Sequence, residues 1–274
     1  MQEKKPRLAI LDMNNQHPNQ GMRSIRNIVE RYTDQLEWDE FDVRAKHEVP
    51  DTSYDIYISS GGPGSPKEEG EWKDRFLQLV DDVWQHNAEG KLPKKHFFFI
   101  CHSFQMVCAH FDLGELMPRK STAFGVYPVH KTKAGLSEPL FEGLDDPYYV
   151  VDSRDWQLVQ PRLEVFEEHG AHILSLEKLR THVEYERAIM AVRFSDEFIG
   201  TQYHPEADPY GMRVHFKNPE NREKVVRNHG ERKYEKMMSH LDYPRELALT
   251  HQTILPRFIE TSLRKLSPEP LGIS

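Results

Sequence analysis

The segment His96-Phe-Phe-Phe-Ile-Cys101-His-Ser-Phe-Gln-Met-Val-Cys-Ala-His110 changes character at its centre. Its first half is a near-continuous apolar run, the pattern of a strand buried on both faces. Its second half is built of helix-compatible residues, so Cys101 falls at a sharp strand-to-helix turn. Such a turn lifts a side chain above the sheet, beside the first turn of the following helix. A strand buried on both faces needs helices on both sides, and the chain upstream supplies them. Leu8–Leu11 is a short apolar run followed by a polar loop with Pro18 and Gly21, after which Met22, Ile25, Ile28, Val29 and Tyr32 recur at helical spacing. Asp55-Ile-Tyr-Ile-Ser-Ser60 reads as the next strand, ended by Gly62-Pro63-Gly64, and Trp72, Phe76, Leu79, Val80 and Val83 mark one face of another helix. Strand and helix in alternation predict an α/β fold, a mostly parallel open sheet with helices on both faces.

Downstream the helical period fades. From Ser121 to Pro161 shorter β-type runs such as Gly125–His130 and Tyr148–Val151 predict a β-rich meander. Ala188–Phe194 and Phe198–Tyr203 read as a hairpin whose second strand runs into His204-Pro205-Glu206. Beyond Ala207 the chain is dense in charge, and Ile254, Leu255, Phe258, Ile259, Leu263 and Leu266 trace an amphipathic helix. The expected organisation is one domain over residues 1–210 and a helical C-terminal extension over 211–274. The extension carries too few apolar residues for a core of its own and is expected to pack on the domain.

Composition excludes several classes. Acidic residues outnumber basic ones, giving a net charge of −8, whereas nucleic-acid binding needs clustered cations. No apolar stretch is long enough to span a bilayer, and the N-terminal sequence lacks the architecture of a secretion signal, so no membrane role is expected. Two cysteines, Cys101 and Cys108, cannot make a disulfide framework. The cytoplasm is the expected compartment. The histidines show no spaced ligand set, and neither a metal nor a cofactor is expected.

Three segments carry candidate chemistry. Cys101 at the elbow would have its thiolate favoured by the positive end of the helix, with free backbone N–H groups beside it to hold an oxyanion. The bland alternative is a buried structural cysteine. His204 and Glu206, two apart in an extended segment, point to one side, so Glu206 can orient the imidazole while His204 moves a proton. The alternative there is a surface turn with an incidental histidine. Ser60-Gly-Gly-Pro-Gly-Ser-Pro66 follows a strand, and its glycines let backbone N–H groups approach a ligand. It could form an oxyanion hole from the N–H groups of Gly62 and His102, an ordinary tight loop, or a phosphate loop. Against the last, Pro63 and Pro66 interrupt any helix start. All three segments follow predicted strands and so can open on one edge of the sheet, where ligands of such sheets bind.

These blocks, with Ile100-Cys-His-Ser-Phe-Gln105 and Gly200-Thr-Gln-Tyr-His-Pro-Glu206, resemble in order and separation the signature blocks of class I glutamine amidotransferases. Asp55 and Glu138-Pro-Leu-Phe-Glu-Gly-Leu144 add to the likeness, which covers roughly residues 50–210. The resemblance implies a thiol hydrolase that releases ammonia from glutamine through a γ-glutamyl thioester. It makes Cys101 the nucleophile, His204 the base and acid, Glu206 the orienter, Gly62 and His102 the oxyanion hole, and Gly61, Gln105 and Ser153 the substrate contacts. It also implies either a separate ammonia-accepting synthase subunit or a stand-alone hydrolase of γ-glutamyl compounds, since residues 207–274 are too few and too charged for a synthetase domain.

Two positions depart from the family elbow Gly-x-Cys-x-Gly-x-Gln: Phe99 and Ser103 replace its glycines. A bulky Phe99 is expected to displace something near the nucleophile. A γ-glutamyl peptidase and a catalytically silent binding or regulatory subunit therefore stand as alternatives. The loop Asn14–Gly21 either borders the site or is a solvated turn.

Overall fold

Strand β4 (His96–Ile100) lies at the middle of the sheet with every residue buried. In the computed structural model, which describes residues 5–17, 19–179, 187–242 and 245–267, the chain around it is ordered as follows. Upstream lie β1 (Arg7–Asp12), α1 (Gln20–Val29), β2 (Glu37–Asp42), β3 (Ile56–Ser59) and α2 (Glu71–Ala88). Downstream follow α3 (His102–His110), the long β5 (Glu115–Lys131), a short α4 (Lys133–Leu136), β6 (Tyr148–Val159), α5 (Leu163–His169), β7 (His172–Glu177), β8 (Ile189–Arg193) and β9 (Phe198–Thr201). The chain then turns helical with α6 (Pro209–Lys217), α7 (Pro219–His229), α8 (Glu231–Asp242) and α9 (Arg245–Leu266).

Among the described residues the strands form one sheet in the order β2-β1-β3-β4-β9-β8-β7-β5-β6. The half from β2 to β9 is parallel, joined by helical crossovers. From β9 to β6 every pairing is antiparallel. The sheet is therefore mixed, with the predicted β-rich stretch forming its antiparallel flank. Strand β2 has no apolar signature. It reads Glu37-Trp-Asp-Glu-Phe-Asp42, and as an edge strand it pairs with β1 alone. Charge is what an exposed edge carries to block further pairing.

Alternation along β4 divides the core. Phe98 and Ile100 join α1 and residues of α9 on one face, while Phe97 and Phe99 join α2 and α3 on the other. The α9 residues Ile254, Leu255, Phe258, Ile259 and Leu263 are fully or nearly buried in the first of these layers, so the apolar stripe read from sequence faces the sheet. A smaller cluster of Met237, Leu241 and Leu247 sits on Val126 and Val151, resting the other C-terminal helices on the β5–β6 hairpin. No helix among the described residues is long and apolar enough to cross a membrane. The loops after β1, β3, β4 and β9 all open at the carboxyl edge of the parallel half, and there the candidate residues gather.

Candidate active site

Cys101 occupies the single residue between β4 and α3, at φ 51° and ψ −99°. A non-glycine residue in this region costs of order 1–3 kcal/mol and persists only when its surroundings hold it there. They do so here through backbone bonds: Cys101 N–H donates to the Thr201 carbonyl at 2.7 Å, and Gln105 N–H donates to the Cys101 carbonyl at 3.0 Å. The adjacent Ser103 hydroxyl accepts from Ile100 N–H at 3.0 Å and lies 3.1 Å from the Ser59 carbonyl, tying the elbow to β3. Cys108, by contrast, is buried inside α3, and burial pushes its thiol well above the ordinary cysteine value.

His204 Nδ1 lies 2.8 Å from Glu206 Oε1. The two meet by a route different from strand alternation. β9 ends at Thr201, and His204–Ala207 forms a turn closed by Ala207 N–H on the His204 carbonyl. His204 N–H is fixed by the Val151 carbonyl of β6 at 2.9 Å, and the Glu206 carbonyl accepts from His251 Nδ1 of α9 at 3.0 Å. Burial works against a charged imidazole, but the negative charges of Glu206 and of a Cys101 thiolate outweigh it and raise the His204 pKa well above its usual value.

Gly61 joins the two halves of the site. A Cβ on it would stand 2.8 Å from His204 Cε1 and 3.3 Å from Cys101 Cβ, so these groups pack against its bare Cα. Gly62 is as confined, since a Cβ there would reach 2.2 Å from the Met13 carbonyl. Arg44 anchors the loop through the Pro63 carbonyl at 2.5 Å and Glu68 at 2.8 Å. No helix follows the loop directly; α2 begins at Glu71 with Glu71 and Asp74 in its first turn, an unfavourable setting for phosphate. Gly62 and His102 both line a cavity of about 480 Å³ above Cys101. The His102 ring stacks on Trp72, and burial, aided by Arg44, lowers its pKa to about 4, so its side chain is neutral at pH 7.

Gln105, four residues into the turn, is buried rather than on a helix surface. Its Nε2 donates to the Trp156 carbonyl at 3.2 Å and to Gln202 Oε1 at 2.9 Å. That bond leaves Gln202 Nε2 directed at Cys101 Sγ, 3.7 Å away, while the Ser153 carbonyl lies 3.8 Å from the sulfur on another side. Ser153 lines the cavity; Asn14, Asn19 and Gly21 do so too, so the loop after β1 borders the site. A Cβ on Gly21 would lie 2.8 Å from Glu206 Oε1. Among the described residues no group of three or more His, Cys, Asp or Glu is placed to hold a metal ion.

The family profile of glutamine amidotransferase class-I matches residues 19–218. The chain belongs to the class I glutamine amidotransferase family. Solved structures share its fold at low identity. A glutamine amidotransferase from Thermotoga maritima aligns at 16% identity over 95% of this chain and 99% of its own, with a TM-score of 0.65. A glutamine amidotransferase from Methylobacillus flagellatus aligns at 14% identity over 96% and 94%, with a TM-score of 0.63. The glutaminase domain of Trypanosoma brucei CTPS, with bound acivicin, aligns at 13% identity over 74% and 86%, with a TM-score of 0.54. No curated protein matches the sequence.

For this amidotransferase, the departures at the elbow have structural accounts. Ser103 is fully buried, its hydroxyl taken up by the bonds that brace the turn. Phe99 does not crowd Cys101 as expected. It points to the opposite face of the sheet, stacked on Phe97 at 4.3 Å and packed on Phe194 and Phe198. Its neighbour across the ladder is Gly200, where a Cβ would come within 3.1 Å of Phe99 Cβ and 2.8 Å of Phe104. The bulk at 99 is accommodated by the absence of a side chain at 200. Arg154 also lines the cavity and is buried, paired with Asp152 at 2.9 Å and Glu177 at 3.7 Å. Gln202 is the residue that sequence reasoning quoted but did not select. Its signal was a fully buried polar position two before His204, legible only once burial is known.

Proposed function

We propose that this amidotransferase hydrolyses a γ-glutamyl amide, with glutamine as the reference substrate, through a thioester on Cys101. The observation that carries the reading is the packing of Cys101 and His204 against Gly61, with Glu206 2.8 Å from the imidazole. Cys101 Sγ, as thiolate beside a protonated His204, attacks the side-chain carbonyl carbon. The oxyanion is held by the N–H groups of Gly62 and His102. His204 gives its proton to the departing nitrogen as the C–N bond breaks, and the acyl group stays on sulfur. Water, deprotonated by His204, then cleaves the thioester to release glutamate and restore the thiol. Glu206 keeps the imidazole oriented and supports its charged form. Gly61, Gln105 and the Ser153 strand hold the glutamyl part, and ammonia released from glutamine passes to a separate synthase subunit.

Glutamine is incubated with the protein and with Cys101→Ala, and glutamate and ammonia are followed. Release by the wild type that vanishes in the variant supports the reading. Acivicin, bound by the Trypanosoma brucei glutaminase domain, supplies a second arm: a covalent adduct mapped to Cys101 is expected. A protein that neither turns over nor labels would overturn the proposal.

A further inference from the structure

We infer that the preferred leaving group is an amine bearing an apolar or aromatic substituent, received in a subsite that α6 builds over the His204 side of the cavity. The inference rests on the proposed thioester route, because that route fixes which side of the cavity the amine must occupy. His204 protonates the departing nitrogen, so the amine lies next to His204, whereas the glutamyl part lies toward Gln105, Ser153 and Trp156. Beyond His204 and Glu206 the cavity is lined by Ala207 and by Met212, His215 and Phe216 of α6, and Phe124 of β5, the cross-strand neighbour of Ser153, reaches across to Phe216. Ammonia needs about the space of one water, roughly 30 Å³. The cavity measures about 480 Å³, a volume typical of sites that enclose whole small molecules.

The α6 wall is built into the fold at both ends. Asp208 caps the helix by accepting from the N–H groups of Tyr210 and Gly211, and lies 3.8 Å from Arg23 of α1. At the other end the Phe216 carbonyl accepts from Tyr234 at 3.1 Å, and Asn221 Nδ2 donates to the His215 carbonyl at 2.9 Å. Phe216 meets Phe124 edge to face at 6.0 Å, and Phe124 stacks on His229 at 4.3 Å. The three carboxylates that line the cavity are already engaged, Asp208 in the cap, Asp155 with Thr122 and Glu206 with His204. A phenylalanine pair and a methionine thus form a surface suited to an uncharged, apolar substituent.

The test is a series in which only the amine grows: glutamine, γ-glutamylethylamide and γ-glutamylphenethylamide. Ethylamine and phenethylamine are both primary alkylamines, so the difference between their two amides reports binding around the nitrogen. The expected kcat/KM rises along the series by roughly tenfold or more in total. In Phe216→Ala and Met212→Ala the ratio of phenethylamide to glutamine should collapse toward one, and Phe216→Leu should retain most of it. Circular dichroism and thermal melting confirm that each variant is folded. Wild-type turnover of glutamine with no gain along the series, or a gain that survives both alanine variants, would overturn the subsite while leaving the thioester reading in place. If no member shows Cys101-dependent turnover, the thioester reading fails and the inference falls with it.

Discussion

At the scale of single residues, the site depends on what is missing at Gly61 as much as on what is present at Cys101. Gly61→Ala would drive a methyl group into the space beside His204 Cε1, 2.8 Å away, where the imidazole must shift to make room. The expected outcome is a fall in kcat on the order of 10²-fold, with the melting temperature little changed, checked by steady-state kinetics and calorimetry. Glu206 has a different signature. Its charge helps raise the His204 pKa, so in Glu206→Gln the imidazolium loses its proton at lower pH, and the alkaline limb of the kcat/KM profile should move downward. The sign for stability follows from the same linkage. A raised folded pKa stabilises fully below the unfolded imidazole value, about 6.5, and that contribution fades as pH climbs through the folded value. Denaturant titrations across that range should show the slope in the wild type and its loss in the variant. A pH profile unchanged by Glu206→Gln would remove Glu206 from the role given to it.

At the scale of elements, the site is assembled by segments far apart in the chain. The His204–Glu206 turn is clamped between β6, through the Val151 carbonyl, and α9, through His251. Thr250, one residue earlier in α9, bonds the Tyr149 carbonyl at 2.8 Å, so the helix grips β6 and the turn together. His251→Ala would leave the Glu206 carbonyl without this donor, costing about 1–3 kcal/mol of stability. A lower kcat with KM nearly unchanged is expected, because the orienting carboxylate is loosened while the glutamyl contacts near Gln105 are untouched. Recovery of kcat in His251→Asn would separate the lost bond from a general loosening of α9. Strand β2 illustrates a different point at this scale. Four of its six residues are charged, Trp38 and Phe41 pack on opposite core layers, and its place at the edge is set by pairing with β1.

At the scale of the whole molecule, burial of uncharged histidines ties stability to pH. His96, at the start of β4, has a pKa lowered to about 3 by burial, with Lys265 and Arg193 adding to the effect. His102 falls to about 4 for similar reasons. Both are depressed in the fold, so the unfolded chain binds more protons once pH drops below about 6.5, and stability declines from there downward. Each group accounts for roughly 1–2 kcal/mol of loss between pH 6.5 and 5. Urea denaturation at a series of pH values should show this decline, and His96→Gln, which cannot titrate, should flatten it by about that amount. An undiminished slope in His96→Gln would mean that other groups control acid stability.

The parallel half of the sheet and the elbow were legible in sequence because their signals are local. Four apolar residues before Cys101, glycines after the strand ending at Ser60, and helical spacing in residues 22–32 and 72–83 each report on a few neighbouring positions. The three motif blocks added order along the chain, which was enough to point to the family. What the tertiary structure decided depends on contacts between distant segments. Phe99 looked obtrusive beside Cys101 in a linear reading; its direction into the opposite core layer, and the room left at Gly200, come from the register of β4 with β9. Gln202 became a neighbour of the thiol only through burial and its bond to Gln105. The loop at 14–21 and helix α6 became walls of the cavity through packing that no spacing rule encodes. The sequence by itself determined the class of fold and the family, because strand, turn and helix preferences act over a few residues and the motif blocks follow one another in order. The shape of the space around those side chains was decided by tertiary structure, because it is set by which surfaces of distant elements exclude water together.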